Sequence, residues 1–181
     1  MKKIFIFTML LMFVCVVGYG VLGSRSKPVS PKSERREIRE QRRAERQAQF
    51  EKTIDSLVLS HNFQFVPQTM QQMISGGMRP LSNPSFEVGI WDNAADIFLP
   101  YVKGFAPPFH FTIINATVNE LQNYLSEQTS EGWRVSFETN LYSASVYTFI
   151  FEINSRYGGV NLTLKNQWYD PVEYTGTITQ Y

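Results

Sequence analysis

Apolar residues recur at every second position along much of this chain, and that spacing leaves few folds open. Trp133, Val135 and Phe137 alternate with Arg134, Ser136 and Glu138. Tyr147, Phe149, Phe151 and Ile153 form the longest stripe, and Val160, Leu162 and Leu164 follow a Gly158-Gly159 turn. Side chains two residues apart share one face of a strand, so each set reads as a strand with one buried face. Tyr174, Gly176 and Ile178 alternate with Thr175, Thr177 and Thr179 in the same way. Upstream, Phe63 and Phe65, then Phe86, Val88 and Ile90, then Ile97, Leu99 and Tyr101 continue the pattern, with a turn at Trp91-Asp92-Asn93-Ala94. After the break at Pro107-Pro108, Phe109, Phe111 and Ile113 are expected to face inward and His110 and Thr112 outward. Thr117 and Glu120 read as a capping box opening one short helix, with Leu121, Tyr124 and Leu125 on its buried side. Short connections make sequential strands antiparallel neighbours. The expectation is a mainly β (α+β) domain: an antiparallel sandwich or barrel-like sheet of about eight strands, with an N-terminal helix and the short inserted helix.

The beginning of the chain has a different grammar. Lys2 and Lys3 precede an apolar run from Ile4 to Leu22, the pattern of an export signal. The run is long for a cleaved signal core and about right for a spanning helix. Three fates are open: cleavage after Gly20 or near Gly23, retention, or lipid attachment at Cys15. Cys15 is the only cysteine, so no disulfide forms within the chain, and Phe13-Val14 before it is a poor lipoprotein context. The expected organisation is a signal peptide or anchor at 1–23, a disordered tether at 24–33, a charged helix at 34–60 and a β-rich domain at 61–181.

The net charge of +1 hides an asymmetry. Residues 25–52 carry ten Lys/Arg and five Glu, a net of +5, and residues 53–181 carry five Lys/Arg and eleven Asp/Glu, a net of −6. An acidic body repels nucleic acid, whose binding requires phosphate neutralisation. Ser33 is the expected N-cap of the helix. At helical spacing Arg35, Arg39, Arg42, Arg43 and Arg46 make one stripe, roughly in line with Phe50, Ile54, Leu57 and Val58. The stripe is either a solvated face, a contact to the acidic body, or a contact to anionic lipid headgroups.

No catalytic constellation emerges. His61 and His110 have no His, Cys or acid at ligand spacing, and no metal or cofactor is expected. No Gly-x-Ser-x-Gly elbow occurs, and Cys15 lies in the leader. Glu87, Asp92, Asp96, Glu138, Glu152 and Asp170 are scattered over strands and turns rather than paired as glycoside chemistry needs. Two features point to binding. The segment from Gln68 to Pro84 is long for a loop and holds Met70, Met73 and Met78, the only methionines outside the leader. Trp91, Tyr101, Phe105 and Trp168 lie on or next to turns, where aromatic side chains can line a groove. The expected role is an exported, non-catalytic envelope protein that binds a small ligand or an envelope partner. The alternatives are a hydrolase acting on glycans and a structural oligomer assembled through the N-terminal helix.

Several segments together point to a family: Phe63-Gln64-Phe65, Ala95-Asp96-Ile97-Phe98-Leu99-Pro100-Tyr101, Gly132-Trp133-Arg134-Val135-Ser136-Phe137, Tyr157-Gly158-Gly159 and Tyr174-Thr175-Gly176. Across residues 45–181 the chain resembles the secreted family of Gram-negative gut bacteria known as domain of unknown function 4251. The resemblance implies a single exported domain, often tethered as a lipoprotein. It supplies no activity and no catalytic residues.

Overall fold

A computed structural model describes residues 31–74, 76–103, 110–142 and 145–181. The expected signal or anchor, with Cys15, and most of the expected tether lie outside these residues. Two compact units divide the chain, residues 1–42 and 43–181. Helix α1 (Pro31–Leu59) begins two residues before the expected cap at Ser33. Proline is favoured in a first helical turn, where its missing N–H has no partner to lose. Within residues 31–46, the side chains of Arg35, Arg39, Arg42, Arg43 and Arg46 are exposed.

The strands are β1 (Asn62–Gln72), β2 (Arg79–Pro80), β3 (Glu87–Trp91), β4 (Ala94–Lys103) and β5 (His110–Val118), followed by β6 (Gln122–Gln128), β7 (Gly132–Leu141), β8 (Ser145–Asn154), β9 (Gly159–Asn166) and β10 (Tyr169–Thr179). All ten described strands join one antiparallel sheet in the order β5-β4-β3-β1-β10-β9-β8-β7-β6, with the short β2 alongside β1. The sheet curls into a half-barrel. Of the two expected architectures, the barrel-like sheet rather than the sandwich is the one observed, and the expected eight or so strands become ten.

The expected inserted helix is also overturned. Thr117 lies within β5, Leu121 is buried in the connection, and Tyr124 and Leu125 belong to β6. The i, i+3, i+4 spacing of apolar residues there comes from a bulge. Asn123 takes a positive φ of 52°, and the register against β7 shifts between Gln122 and Leu125. A bulge breaks the two-residue period, which makes an edge strand imitate a helix. In β5 the register is inverted relative to expectation: Ile114 is buried while Phe111 and Ile113 are exposed. Ile113 and Ile114 are both apolar, so alternation alone does not choose the face.

The concave face holds the core. Phe63 and Phe65 meet Phe151 edge-on, each at 5.8 Å between centroids, and Phe137 stacks on Phe149 at 4.9 Å. These are favoured aromatic geometries. In the second unit α1 buries Ile54 and Val58 in the same core. Asp55 fixes its position by accepting hydrogen bonds from Trp133 Nε1 at 2.7 Å and Ser155 Oγ at 3.1 Å. Consecutive strands β5 and β6 form the two edges of the sheet. Leu121 N–H, in the connection between them, donates to the Asn93 carbonyl of the β3–β4 turn (2.8 Å), and Asn115 N–H of β5 donates to Tyr142 Oη after β7 (3.2 Å).

Candidate functional site

The half-barrel has two unlike ends. Within the second unit, α1 packs at the end where β1 begins, against Trp133, Ser155 and Gly158. At the other end lie the last residues of β1 and β4, the first of β5, and the β7–β8 and β9–β10 turns. Register places them together: Gln72 pairs with Val172, Lys103 with His110, Leu141 with Ser145, and Tyr169 with Asn166.

Apolar side chains crowd the rim of this helix-free end. Met73, Ile74 and Met78 come from the segment after β1, and Ile74 and Met78 are 73% and 63% exposed. Phe111 of β5, Tyr142 and Val146 of the β7–β8 region, and Trp168 of the β9–β10 turn are exposed as well. Local hydrogen bonds hold several of them. Met73 N–H donates to the Pro171 carbonyl (3.0 Å), Trp168 N–H to Asn166 Oδ1 (2.8 Å), and Leu81 N–H to the Gln68 carbonyl (2.8 Å). The Arg79 guanidinium lies 4.5 Å from the centroid of the Phe111 ring, a cation–π contact that limits the ring's freedom.

Beneath the rim is a layer of tyrosines. Tyr101 is fully buried and its ring meets Tyr147 at 5.8 Å and Tyr169 at 6.4 Å. Tyr174 Oη donates to the Pro100 carbonyl at 2.6 Å. Gln72 Nε2 donates to Asp170 Oδ2 at 3.4 Å, and both residues are buried. Among the described residues, the hydroxyls of Tyr101 and Tyr124 are buried without a hydrogen-bond partner. Burial is the main cause that raises the Tyr101 hydroxyl far above its ordinary value, with Tyr147, Tyr169 and Asp170 adding to it. Tyr174 is raised well above 10.0, chiefly by burial. Burial also pushes Tyr124, on β6, up to about 12.

These shifts set an alkaline limit. The folded chain keeps these three buried phenols protonated while an unfolded tyrosine releases its proton near pH 10.0. Stability is therefore complete below pH 10 and is lost as pH rises through the folded values. Unfolding midpoints measured in urea from pH 8 upward should fall once pH 10 is passed. Tyr124→Phe should flatten part of that slope and, by removing an unpaired buried hydroxyl, leave neutral-pH stability equal or higher.

The residues singled out in the sequence sort into three groups. Met73, Met78 and Trp168 come together at the rim. Met70 and Tyr101 are 3% and 0% exposed and belong to the core rather than to a surface. Trp91 lies at the helix end, where its ring stacks on Tyr181 at 5.0 Å. Phe105 falls outside the described residues. Ile74, Phe111, Tyr142 and Val146 were not legible as rim residues, because only the strand ends place them there.

Comparisons with known proteins agree with this architecture. The family model described as "Domain of unknown function (DUF4251)" matches residues 45–178. The chain is similar to the crystal structure of a DUF4251 family protein from Bacteroides eggerthii, with a TM-score of 0.56 and 9% sequence identity. That match covers 74% of this chain and 91% of the other, and at such identity the likeness is one of fold. No curated protein matches.

Proposed function

The chain belongs to the DUF4251 family, and on the scaffold that family shares we propose that it is an exported, non-catalytic binding module whose helix-free rim holds an apolar partner in the cell envelope. The observation that carries this reading is the concentration of exposed Met73, Ile74, Met78, Phe111 and Trp168 at one end of the half-barrel. A contiguous exposed apolar patch costs solubility unless something covers it, and such patches mark interaction sites. Methionine suits an adaptable contact, and tryptophan is over-represented among residues that dominate binding energy. The leader of residues 1–23 supports placing this activity outside the cytoplasm.

The partner should be recoverable by cross-linking from a photoreactive group at Met78 in cells, followed by affinity measurement with the purified partner. Trp168→Ala combined with Met73→Ser should weaken that complex by roughly thirtyfold or more. Both residues are exposed, so unfolding stability should change by no more than about 0.5 kcal/mol. Unchanged affinity in the double variant would remove the rim from the binding surface.

A further inference from the structure

A second surface, on the convex face of the sheet and away from the rim, has the features of a ligand site. A groove of about 620 Å³ runs across β7, β8, β9 and β10, within the size range of small-molecule sites. Its floor is a single cross-strand row. Arg134 pairs with Glu152, Glu152 with Asn161, and Asn161 with Thr175. Thr175 Oγ1 lies 2.6 Å from Thr69 Oγ1 of β1, which extends the row to a fifth strand. The β6–β7 turn, with Ser130 and Glu131, forms one wall, and Tyr157 stands at the border. Tyr157 is 72% exposed, with the Arg156 guanidinium 5.6 Å from its ring centroid.

We infer that this groove binds a neutral glycan, a run of linked sugar rings lying across the strands with one ring against the face of Tyr157. The row offers donors and acceptors by turns: guanidinium, carboxylate, amide and hydroxyl. Both charge signs occur along it, so a strongly anionic or cationic ligand would meet a like charge. Neighbouring strands are about 4.8 Å apart, so the four floor residues span about 14 Å, with a polar group at intervals close to the length of one pyranose ring. Sugar hydroxyls both donate and accept, which matches such a mixed row, and the apolar face of a ring packs on an exposed aromatic side chain. Gly159 supplies the clearance. It lines the groove, and a Cβ built there meets nothing within 4 Å. A larger residue would project into the groove without striking the fold.

The test is calorimetric titration of the full chain with linear neutral gluco-, xylo- and manno-oligosaccharides, with uronic-acid and glucosamine oligomers as charged controls. At least one neutral series should bind, and both Gly159→Phe and Tyr157→Ala should weaken it by about tenfold or more with melting temperatures unchanged. Trp168→Ala should bind the same sugar normally, which separates this groove from the rim. The inference is overturned by no neutral binding at about 10 mM sugar, by binding confined to charged oligomers, or by either groove variant binding like the unaltered chain.

Discussion

Phe151→Ala should lower the stability of the fold by about 3–5 kcal/mol. Its ring is fully buried and touches Phe63 and Phe65 from β1 and Phe137 from β7. Those neighbours belong to strands that are hydrogen-bonded into different parts of the curl, so they cannot close together over the gap. Removing the ring therefore adds the cost of a residual cavity to the lost transfer energy. Domains of this size are stable by about 5–15 kcal/mol in total, so the variant should populate unfolded chain measurably at moderate temperature. A urea melt compared with Phe111→Ala provides the scale. Phe111 lies exposed on β5, and its loss should cost only a fraction of the Phe151 effect. Equal losses from the two substitutions would mean that the aromatic cluster does not organise the interior.

Gly132→Ala should be comparably severe, at about 3 kcal/mol or more. Gly132 opens β7 with φ at +152°, a region that side chains rarely occupy. A Cβ there would fall on the backbone carbonyl oxygen of Ile153, with the Ser155 amide N 2.6 Å away. Both obstacles are main chain, so the β7–β8 ladder itself must move. The neighbouring Trp133 anchors Asp55 of α1 through its indole N–H, so the displacement should also loosen the helix. Hydrogen exchange across residues 50–59 should then accelerate along with the drop in melting midpoint. A variant that melts normally and keeps helix protection would contradict this geometry.

Much of the sheet could be read from the residues because one face of each central strand is buried. Along β7, β8, β9 and β10 the alternation of Trp133, Phe137, Phe149, Phe151, Leu162 and Tyr174 with polar neighbours matches the observed burial. The turns at Asp92-Asn93 and Gly158 are where glycine, aspartate and asparagine place them, and Asp92 and Gly158 both have positive φ. The edges were not legible. β5 and β6 each pair on one side only, so burial imposes a weaker period, and consecutive Ile113 and Ile114 or the bulge at Asn123 suffice to mislead. The choice between one curled sheet and two packed sheets stayed open, since both architectures use the same alternation. The site was half visible. Composition drew attention to Met73, Met78 and Trp168, but their grouping with Phe111 depends on which strand ends are neighbours. Local pattern does not contain that information.

The pairing of β1 with β10 also governs how the chain reaches its native state. Gln64 meets Thr179 and Gln72 meets Val172 across roughly a hundred intervening residues. β3 covers only the first part of the other flank of β1. A nascent polypeptide that has emerged only as far as β8 therefore has hairpins but no completed ladder around its first strand. Closing so large a loop is entropically slow, so assembly should follow synthesis rather than accompany it. Until β10 arrives, β1 is a sticky, half-dressed edge that a holding chaperone would have to shield.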